Sequence, residues 1–241
     1  MGARSSGSDD AKMRVRTLRE VNRRLLACRL CPRLVEWREK VAREKVRRYA
    51  DEIYWGRPIP GFGDPRARLL LVGLAPAAHG GNRTGRMFTG DESGNWLFRA
   101  LHTSGFANQP HSTGREDGLC LEDCYVTATL RCAPPGNKPL RQEILQCRAY
   151  LLEEVALLRR IRVVVGLGRV GFDAALGAYR QMGKIQYRRR PPFVHGGVYG
   201  LNGLLFLSSF HPSQQNTFTG KLTEQMFDRV FRIARRELNA L

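Results

Sequence analysis

Four short apolar segments, separated by stretches of helical periodicity, constrain the fold of this chain more than any other feature. The apolar segments lie at residues 68–74, 125–129, 163–167 and 204–209. Near-continuous apolar runs of this length are typical of strands that are covered on both faces. The helical patterns lie at residues 94–103, 142–159, 170–178 and 221–239. Strands that alternate with helices predict an α/β fold, a three-layer αβα sandwich around a central, mainly parallel four-stranded sheet.

The N-terminal part of the chain has a different character. Residues 1–12 are mostly small and polar, which predicts a disordered tail. From residue 14 to residue 48, Lys and Arg far outnumber Glu, and apolar residues recur at helical spacing, with an interruption at residues 28–32. This pattern predicts a basic helical extension whose second helix spans residues 34–49. Because we find no later linker, residues 13–241 are predicted to form a single domain.

The net charge of the chain narrows the range of partners that it is expected to bind. Lys and Arg number 40 against 22 Asp and Glu, which gives a net charge of +18. A field of this strength attracts polyanions, and Arg, the more abundant cation here, fits phosphate oxygens with its planar fork. Nucleic acid is therefore the expected partner, although an arginine-rich genome alone would give a similar composition.

No segment of the sequence predicts a membrane helix. The longest apolar run, residues 69–78, is broken by Gly73 and Pro76 and is far shorter than the ~20 residues that a membrane helix needs. The first ten residues also lack the hydrophobic core of a signal peptide. We therefore expect a cytoplasmic protein with no membrane partner, and one associated with the nucleoid if it binds DNA.

The cysteines suggest a metal centre. The chain has six of them: Cys28, Cys31, Cys120, Cys124, Cys132 and Cys147. The first two form a C-x2-C pair, and the last two lie far downstream, so the fold would have to bring the pairs together into a four-thiolate site. Zinc and an iron–sulfur cluster both accept such ligands, and unliganded core cysteines are the third alternative. The middle two are expected to be ordinary buried thiols.

The loops that follow the predicted strands carry the remaining unusual residues. In open parallel sheets, chemistry gathers at the carboxyl ends of the strands. Residues 80–86 are similar to a phosphate-binding loop, but Arg86 and Met87 stand where Lys and Ser or Thr are needed, which argues against a nucleoside triphosphatase. After the second strand a Pro-Pro turn presents Asn137, and after the last strand His211 precedes a proline. A histidine at that point is well placed to donate a hydrogen bond into a cleft.

Taken together, these motifs resemble the family 5 (UdgB-type) uracil-DNA glycosylases, which are relatives of the family 4 enzymes. The matching pieces, in the order of the family, are Cys28-x-x-Cys31, residues 73–91, residues 131–135, Cys147 and His211-Pro212-Ser213. The resemblance implies an αβα sandwich with a [4Fe-4S] cluster on Cys28, Cys31, Cys132 and Cys147. It also implies a monofunctional DNA glycosylase that flips uracil out of DNA, cleaves its N-glycosidic bond and so starts base-excision repair.

The resemblance further implies roles for individual residues. The catalytic candidates are Asp91, His211 and Asn137. The substrate-binding candidates are Gly73, Ala75, Ala77, Ala78, Phe88 and Ser213. The DNA-binding candidates are Arg83, Arg86, Gln214, Gln215 and Asn216, with Phe218 in the same predicted loop as a further candidate for insertion into the duplex.

In this scheme the flipped base stacks on Phe88. His211 donates a hydrogen bond to the pyrimidine carbonyl oxygen where negative charge develops, and Asp91 stabilises the sugar cation and orients water. Several related families place an acidic or amide residue where this chain has Ala75. A pocket with fewer groups that read the base should discriminate less, so we expect activity on other deaminated bases such as hypoxanthine.

Two alternatives from other classes remain. One is a non-catalytic DNA-binding iron–sulfur protein that senses redox state, which would share the cysteines and the basic surface. The other is a zinc-containing enzyme that acts on nucleotides. The resemblance favours the glycosylase, and we expect an enzyme that scans DNA to be a monomer.

Overall fold

The computed structural model describes residues 17–240, and a single six-stranded sheet forms its centre. The strands are β1 (Phe62–Gly63), β2 (Leu69–Gly73), β3 (Cys124–Ala128), β4 (Val163–Leu167), β5 (Gly197–Leu201) and β6 (Leu204–Ser209). Their order across the sheet is β1-β3-β2-β4-β6-β5. The inner four strands are parallel to one another, and β1 and β5 are added antiparallel at the two edges.

The four predicted strands are therefore confirmed, and the sheet is larger than predicted by its two edge strands. Both edge strands give a weak sequence signal. β1 has only two residues, and β5 alternates between half-buried and exposed positions instead of forming an apolar run. Edge strands with one solvated face do not need continuous apolar sequence.

Helices cover both faces of the sheet. They are α1 (Leu18–Leu26), α2 (Pro32–Glu44), α3 (Gly81–Thr84), α4 (Glu92–Thr103), α5 (Arg141–Leu157), α6 (Gly168–Gln181), α7 (Gln214–Phe218) and α8 (Glu224–Asn239). Leu69 and Leu71 of β2 belong to the apolar core under α4 and α8, whereas Leu70 and Val72 belong to the core under α5 and α6. Because successive side chains of a strand point to opposite faces, burial on both faces accounts for the continuous apolar runs and confirms the αβα sandwich.

The N-terminal extension is helical, as predicted, but its second helix is shorter. α2 ends at Glu44, where Lys45 takes a positive φ of 54°. A separate 3-10 turn, Arg47–Tyr49, follows. Lys45 lies in the left-handed region that favours glycine, so the helix cannot continue through it. The Arg24 side chain pairs with Glu153 and fastens α1 to α5.

Some predictions lie beyond what the structure describes. The predicted tail at residues 1–12 and the start of the basic helix near residue 14 are outside residues 17–240. The single-domain assignment stays a prediction. None of the helices in residues 17–240 is both long and apolar enough to cross a bilayer.

Candidate active site and cysteine pocket

A cavity of about 810 Å³ lies at the carboxyl edge of the parallel strands. Three strand-end loops contribute to its wall: Ala77, Ala78 and Asp91 follow β2, Asn137 follows β3, and Gln214 follows β6. Parallel strands place all their carboxyl ends at one edge, so residues far apart in sequence share this space. With Arg83, which also lines it, the structure brings together six of the predicted site residues in this cavity.

Asp91 is held rigidly in this wall. It is the N-cap of α4, and its Oδ1 accepts a hydrogen bond from the Gly94 N–H at 3.0 Å. A Cβ built on Gly80 would lie 2.1 Å from Asp91 Oδ2, so only glycine allows the loop after β2 to approach this carboxylate. Burial raises the pKa of Asp91 above its ordinary value, although backbone N–H groups of the helix act against that rise.

Phe88 and His211 form a stacked pair at the same sheet edge. Their ring centroids are 5.7 Å apart, with an interplanar angle of 27°. Gly73, at the end of β2, makes room for the Phe88 ring, since a Cβ there would lie 2.7 Å from Phe88 Cζ. Gly168, at the end of β4, packs against His211. The two rings belong to the rim built by the strand ends, but they do not line the open cavity itself.

His211 is uncharged at neutral pH. Burial lowers the pKa of His211 from 6.5 to about 4, because the imidazolium form would have to be desolvated. The Asn216 side-chain amide donates a hydrogen bond to the His211 carbonyl at 2.9 Å, which fixes the backbone at this point. A neutral imidazole can donate one hydrogen bond without a positive charge that attracts water.

The remaining predicted residues have less distinctive environments. Asn137 is exposed, has a φ of 57° and ends a short 3-10 turn directly after Gly136. Ala75 is half-buried in the loop after β2. Ser213 is the N-cap of α7, and its carbonyl accepts bonds from the backbone N–H of Asn216 and the hydroxyl of Thr217. Nothing in these contacts assigns a role to Ala75 or Ser213.

Two of the predicted DNA contacts are already engaged within the chain. Arg83 is 8% exposed, and each of its three guanidinium nitrogens already has an acceptor: the His79 carbonyl, the Gly90 carbonyl and the Glu52 carboxylate. Arg86 is 6% exposed and donates to Thr89, Ser112, Asp117 and the Arg115 carbonyl. Both side chains hold loops together, so neither is free to bind phosphate.

The predicted insertion loop is instead a short helix. Gln214–Phe218 forms α7, which the N-cap Ser213 begins directly after the His211 motif. Gln214 and Gln215 are exposed, and Phe218 is 75% exposed. Gln214 lines the cavity, but the sequence did not reveal that one helical turn fixes the directions of these side chains.

The N-terminal extension also contributes to the cavity, which the sequence did not indicate. The cavity is lined by Trp37 of α2 and by Arg48 and Tyr49 of the 3-10 turn. His79, from the loop after β2, lines it as well. The Tyr54 hydroxyl bonds His79 Nδ1 at 3.1 Å. Burial lowers the pKa of His79, and the nearby Arg83 lowers it further. Aromatic residues near the end of a basic helix were the only signal available, and that signal is common.

A second, smaller pocket collects the four predicted cluster cysteines. Cys28 and Cys31 lie in the turn between α1 and α2, Cys132 in the loop after β3, and Cys147 in α5. All four line one pocket. Among residues 17–240, no three His, Cys, Asp or Glu side chains are grouped closely enough to hold a single metal ion.

The cysteine pocket also contains two buried arginines. Arg38 is 2% exposed and donates to Cys132 Sγ at 2.9 Å, and Arg131 is 1% exposed and pairs with the buried Glu154. Arg38 Nε, Arg131 Nε and Arg131 Nη1 have no hydrogen-bond partner within the described chain. Buried cations with unused donors are costly. The pocket is therefore built for a group that carries negative charge or accepts hydrogen bonds.

Two of the thiols in this pocket are held in their protonated form. Burial raises the pKa of Cys132 to about 11 and that of Cys147 to about 12. A metal overcomes this penalty because it binds the thiolate directly. The remaining two cysteines were predicted to be buried; Cys124 is buried, but Cys120 is exposed, so that prediction is wrong for Cys120.

Comparison with known proteins adds an independent finding. Residues 60–235 match the family model described as the Uracil DNA glycosylase superfamily. The chain is 48% identical over 219 residues to a type-5 uracil-DNA glycosylase of Mycobacterium leprae, covering 90% of this chain and 94% of that protein. It is 50% identical over 213 residues to one of Thermus thermophilus, covering 88% and 94%. A type-4 uracil-DNA glycosylase of Saccharolobus solfataricus is 27% identical over 179 residues, covering 71% and 74%.

Proposed function

The chain belongs to the type-5 uracil-DNA glycosylases, and from this membership we propose that it flips uracil out of DNA and excises it at the rim of the strand-end cavity. The enzyme is a hydrolase that cleaves N-glycosidic bonds, and its reaction belongs to DNA repair. As a monofunctional glycosylase it would leave an abasic site and so start base-excision repair. A monomer that acts at the nucleoid fits an enzyme whose substrate is a long duplex.

A base inside a duplex cannot be reached, so the nucleotide must first leave the stack. The α7 residues Gln214, Gln215, Asn216 and Phe218 are the proposed insertion element. Phe218 supports this assignment, because an apolar side chain that is 75% exposed can fill the space that the base leaves. Arg48, which is exposed and lines the cavity, replaces Arg83 and Arg86 as the proposed phosphate contact.

The flipped base would stack on Phe88, and this requires His211 to move. A base between two rings needs two stacking gaps of about 3.5 Å each, whereas the Phe88 and His211 centroids are only 5.7 Å apart. The incoming uracil therefore displaces the imidazole towards the edge of the base. There the neutral ring donates its N–H to the carbonyl oxygen on which the leaving group collects negative charge.

The sugar side of the bond becomes cationic as the base leaves. Asp91 is the proposed stabiliser of that cation, because the N-cap bond to Gly94 fixes its carboxylate in the cavity wall. Asn137, on the opposite strand-end loop, is proposed to orient the water that attacks the sugar. Ala75 supplies no polar group at the end of β2. Stabilisation of the leaving base therefore has to provide a larger share of the rate enhancement.

We propose that the four cysteines hold a [4Fe-4S] cluster. A single zinc ion needs its sulfurs about 2.3 Å from one point, whereas a cluster offers a separate iron to each thiolate, which suits four sulfurs that surround a pocket. When bound, the cluster would cross-link α1, α2, the β3 loop and α5. Arg38 and Arg131 would offset its negative charge, and their unused N–H groups support this fit.

The cluster would also support the active site from behind. α2 carries Trp37 into the cavity and Arg38 into the cysteine pocket, and the β3 loop carries Asn137 and Cys132 in the same way. Fixing one side of these two segments fixes the other. We propose a structural role for the cluster on this basis.

Substrate range is the finer part of the proposal. With Ala75 in place of a polar residue, the base is read by few side chains, and we propose that hypoxanthine is also excised. Sites that lack specific donors discriminate weakly between analogues. Release of free base from matched duplexes that contain uracil or hypoxanthine, measured in single turnovers, tests this directly.

One observation carries the whole proposal: three strand-end loops place Asp91 and Asn137 in one cavity wall beside the Phe88–His211 pair. The test is incubation with uracil-containing DNA followed by alkali, which breaks the strand at an abasic site. We expect cleavage by the wild-type protein and little by the His211→Ala variant. Tight DNA binding without strand breakage would instead favour the non-catalytic iron–sulfur protein.

A further inference from the structure

One apolar side chain stands almost wholly in solvent beside the active-site cavity. Ile53 is 95% exposed, whereas the next residue, Tyr54, is 7% exposed. Single exposed apolar residues are common on protein surfaces, so exposure alone says little. The loop that carries Ile53 is distinguished by the way it is held and by its neighbours.

The loop is fixed on both sides of Ile53. On the N-terminal side, the Glu52 carboxylate pairs with the Arg83 guanidinium. On the C-terminal side, the Tyr54 hydroxyl bonds His79 Nδ1 at 3.1 Å. The backbone N–H groups of the two residues after Tyr54 donate to carbonyl oxygens of α3 at 2.9 and 3.1 Å. Ile53 is therefore an exposed side chain at the tip of an anchored loop, and its β-branched side chain has few rotamers to lose.

The same loop borders the cavity, and a second exposed apolar residue approaches from another element. Tyr49 and Glu52 line the cavity on the side of Ile53, and Gln214 of α7 also lines it. Phe218, the last residue of α7, is 75% exposed. Two apolar tips, carried by separate elements, thus stand beside one cavity.

Two basic residues precede the Ile53 tip in the chain. Arg47 and Arg48 are exposed in the 3-10 turn six and five positions earlier, and Arg48 lines the cavity. Cations of this kind attract the phosphates on either side of a base step. An apolar wedge with adjacent cations is the arrangement by which proteins unstack and kink a duplex.

We propose that Ile53 is a DNA wedge, which enters the base stack beside the nucleotide that flips into the cavity, while Phe218 enters from the α7 side. The inference rests on the proposed function, because it requires duplex DNA with an extruded nucleotide. It adds a DNA-distorting residue in the N-terminal half of the chain, outside the strand-end loops that supply the catalytic groups.

The test compares Ile53→Ala and Ile53→Leu with the wild-type enzyme on two duplexes, one with a matched U·A pair and one with a U·G mismatch. A 2-aminopurine placed next to the uracil reports unstacking by its fluorescence. We expect Ile53→Ala to slow excision from the matched duplex by about tenfold, since unstacking costs a few kcal/mol per step. The loss should be smaller on U·G, where the pair is already weakened, and Ile53→Leu should retain most of the activity.

Val198→Ala is the matched control, because Val198 is also β-branched, is 48% exposed and does not line the cavity. Thermal unfolding of each variant checks that it is folded. Equal losses on both duplexes, or an unchanged fluorescence rise with Ile53→Ala, would overturn the wedge. If the wild-type enzyme released uracil from neither duplex, the proposed function would fail, while the fluorescence would still report whether Ile53 unstacks DNA.

Discussion

The active-site cavity and the cysteine pocket both include residues of α2 and of the loop after β3, but their buried arginines differ in how many of their N–H groups are hydrogen-bonded. Beside the cavity, Arg83 and Arg86 have an acceptor for every guanidinium nitrogen. In the pocket, Arg38 and Arg131 keep three nitrogens without a partner in residues 17–240.

The difference separates scaffold from binding site. A buried cation with all its donors used stabilises the loops that surround it, and nothing further is needed to account for its burial. A buried cation with unused donors bears a desolvation cost that a bound anion would offset. By this criterion the cysteine pocket has donors to offer an anionic group, whereas the buried arginines beside the cavity serve as its framework.

Replacing His211 by Ala is the strongest test of the cavity side of this comparison. Loss of one donor to a developing anion lowers such rates by about 10²–10³-fold, and we expect a fall of that size in single-turnover uracil release. Thermal unfolding of the variant checks that it is folded. A variant with wild-type rates would show that His211 takes no part in catalysis.

Asp91 combines a catalytic and a capping role, and two substitutions separate them. Asparagine preserves the N-cap of α4, whereas alanine removes it at a cost of about 1 kcal/mol in stability. We expect both Asp91→Asn and Asp91→Ala to slow excision by about 10²-fold, which is the lower range for a positioned acid–base group. Only the alanine variant should lower the unfolding temperature. Rates close to wild type in the asparagine variant would show that Asp91 acts only as the N-cap of α4.

The Arg38→Met variant tests whether the buried arginines of the cysteine pocket help to retain a metal group. Groups that bond to metal ligands typically contribute about 10–100-fold to metal affinity, so Arg38→Met should lose iron at least about tenfold more readily during purification without oxygen or during chelation. Iron content and visible absorption measure the loss without reference to activity. Arg43→Met, an exposed position on the same helix, is the control and should retain its iron. Equal iron retention in the two variants would remove the argument from unused donors.

The arginines beside the cavity should differ in their effect on DNA binding. Replacing a phosphate-contacting cation lowers the dependence of log affinity on log salt concentration by about one. We expect this change for Arg48→Gln and none for Arg83→Gln, whose parent side chain is already paired with Glu52. Binding to a uracil-free duplex across a salt series measures both slopes. A reduced slope for Arg83→Gln would restore the DNA contact that its burial excludes.

The pH profile should show the smallest change. Burial holds the pKa of His211 at about 4, so the ring stays neutral as the pH falls from 8 to 5, and the rate should show no inflection near 6.5. Stability should fall over the interval from 6.5 to 4, because there the unfolded chain binds a proton that the folded chain does not. Rates and unfolding temperatures measured at each pH test the two statements, with His211→Ala as the reference.

Much of the fold could be predicted from sequence because its signals are local. Strands β4 and β6 have the predicted bounds, and β2 and β3 differ by one residue at each end, since burial on both faces imposes an unbroken apolar run. The edge strands β1 and β5 escaped detection because one solvated face removes that requirement. α2 was predicted too long because a lysine in the sequence gives no sign that its φ is positive, as that of Lys45 is.

The candidate site was predictable to the extent that it follows from topology. Once the strands are parallel, the segments after β2, β3 and β6 must meet at one edge, so Asp91, Asn137 and Gln214 could be placed together in advance. The contributions of Arg48, Tyr49 and Ile53 could not, because they depend on how the N-terminal extension packs across that edge.

The sequence by itself determined the four inner strands and the strand-end loops, because each is encoded by neighbouring residues or by strand direction. Only the tertiary structure decided which arginines remain available to bind a ligand. Arg83 and Arg86 each pair with a carboxylate 31 positions away, and no local pattern specifies such a partner. The charge of an arginine is fixed by its chemistry, but its use as a scaffold or as a ligand depends on which acceptors the folded chain brings within hydrogen-bond distance.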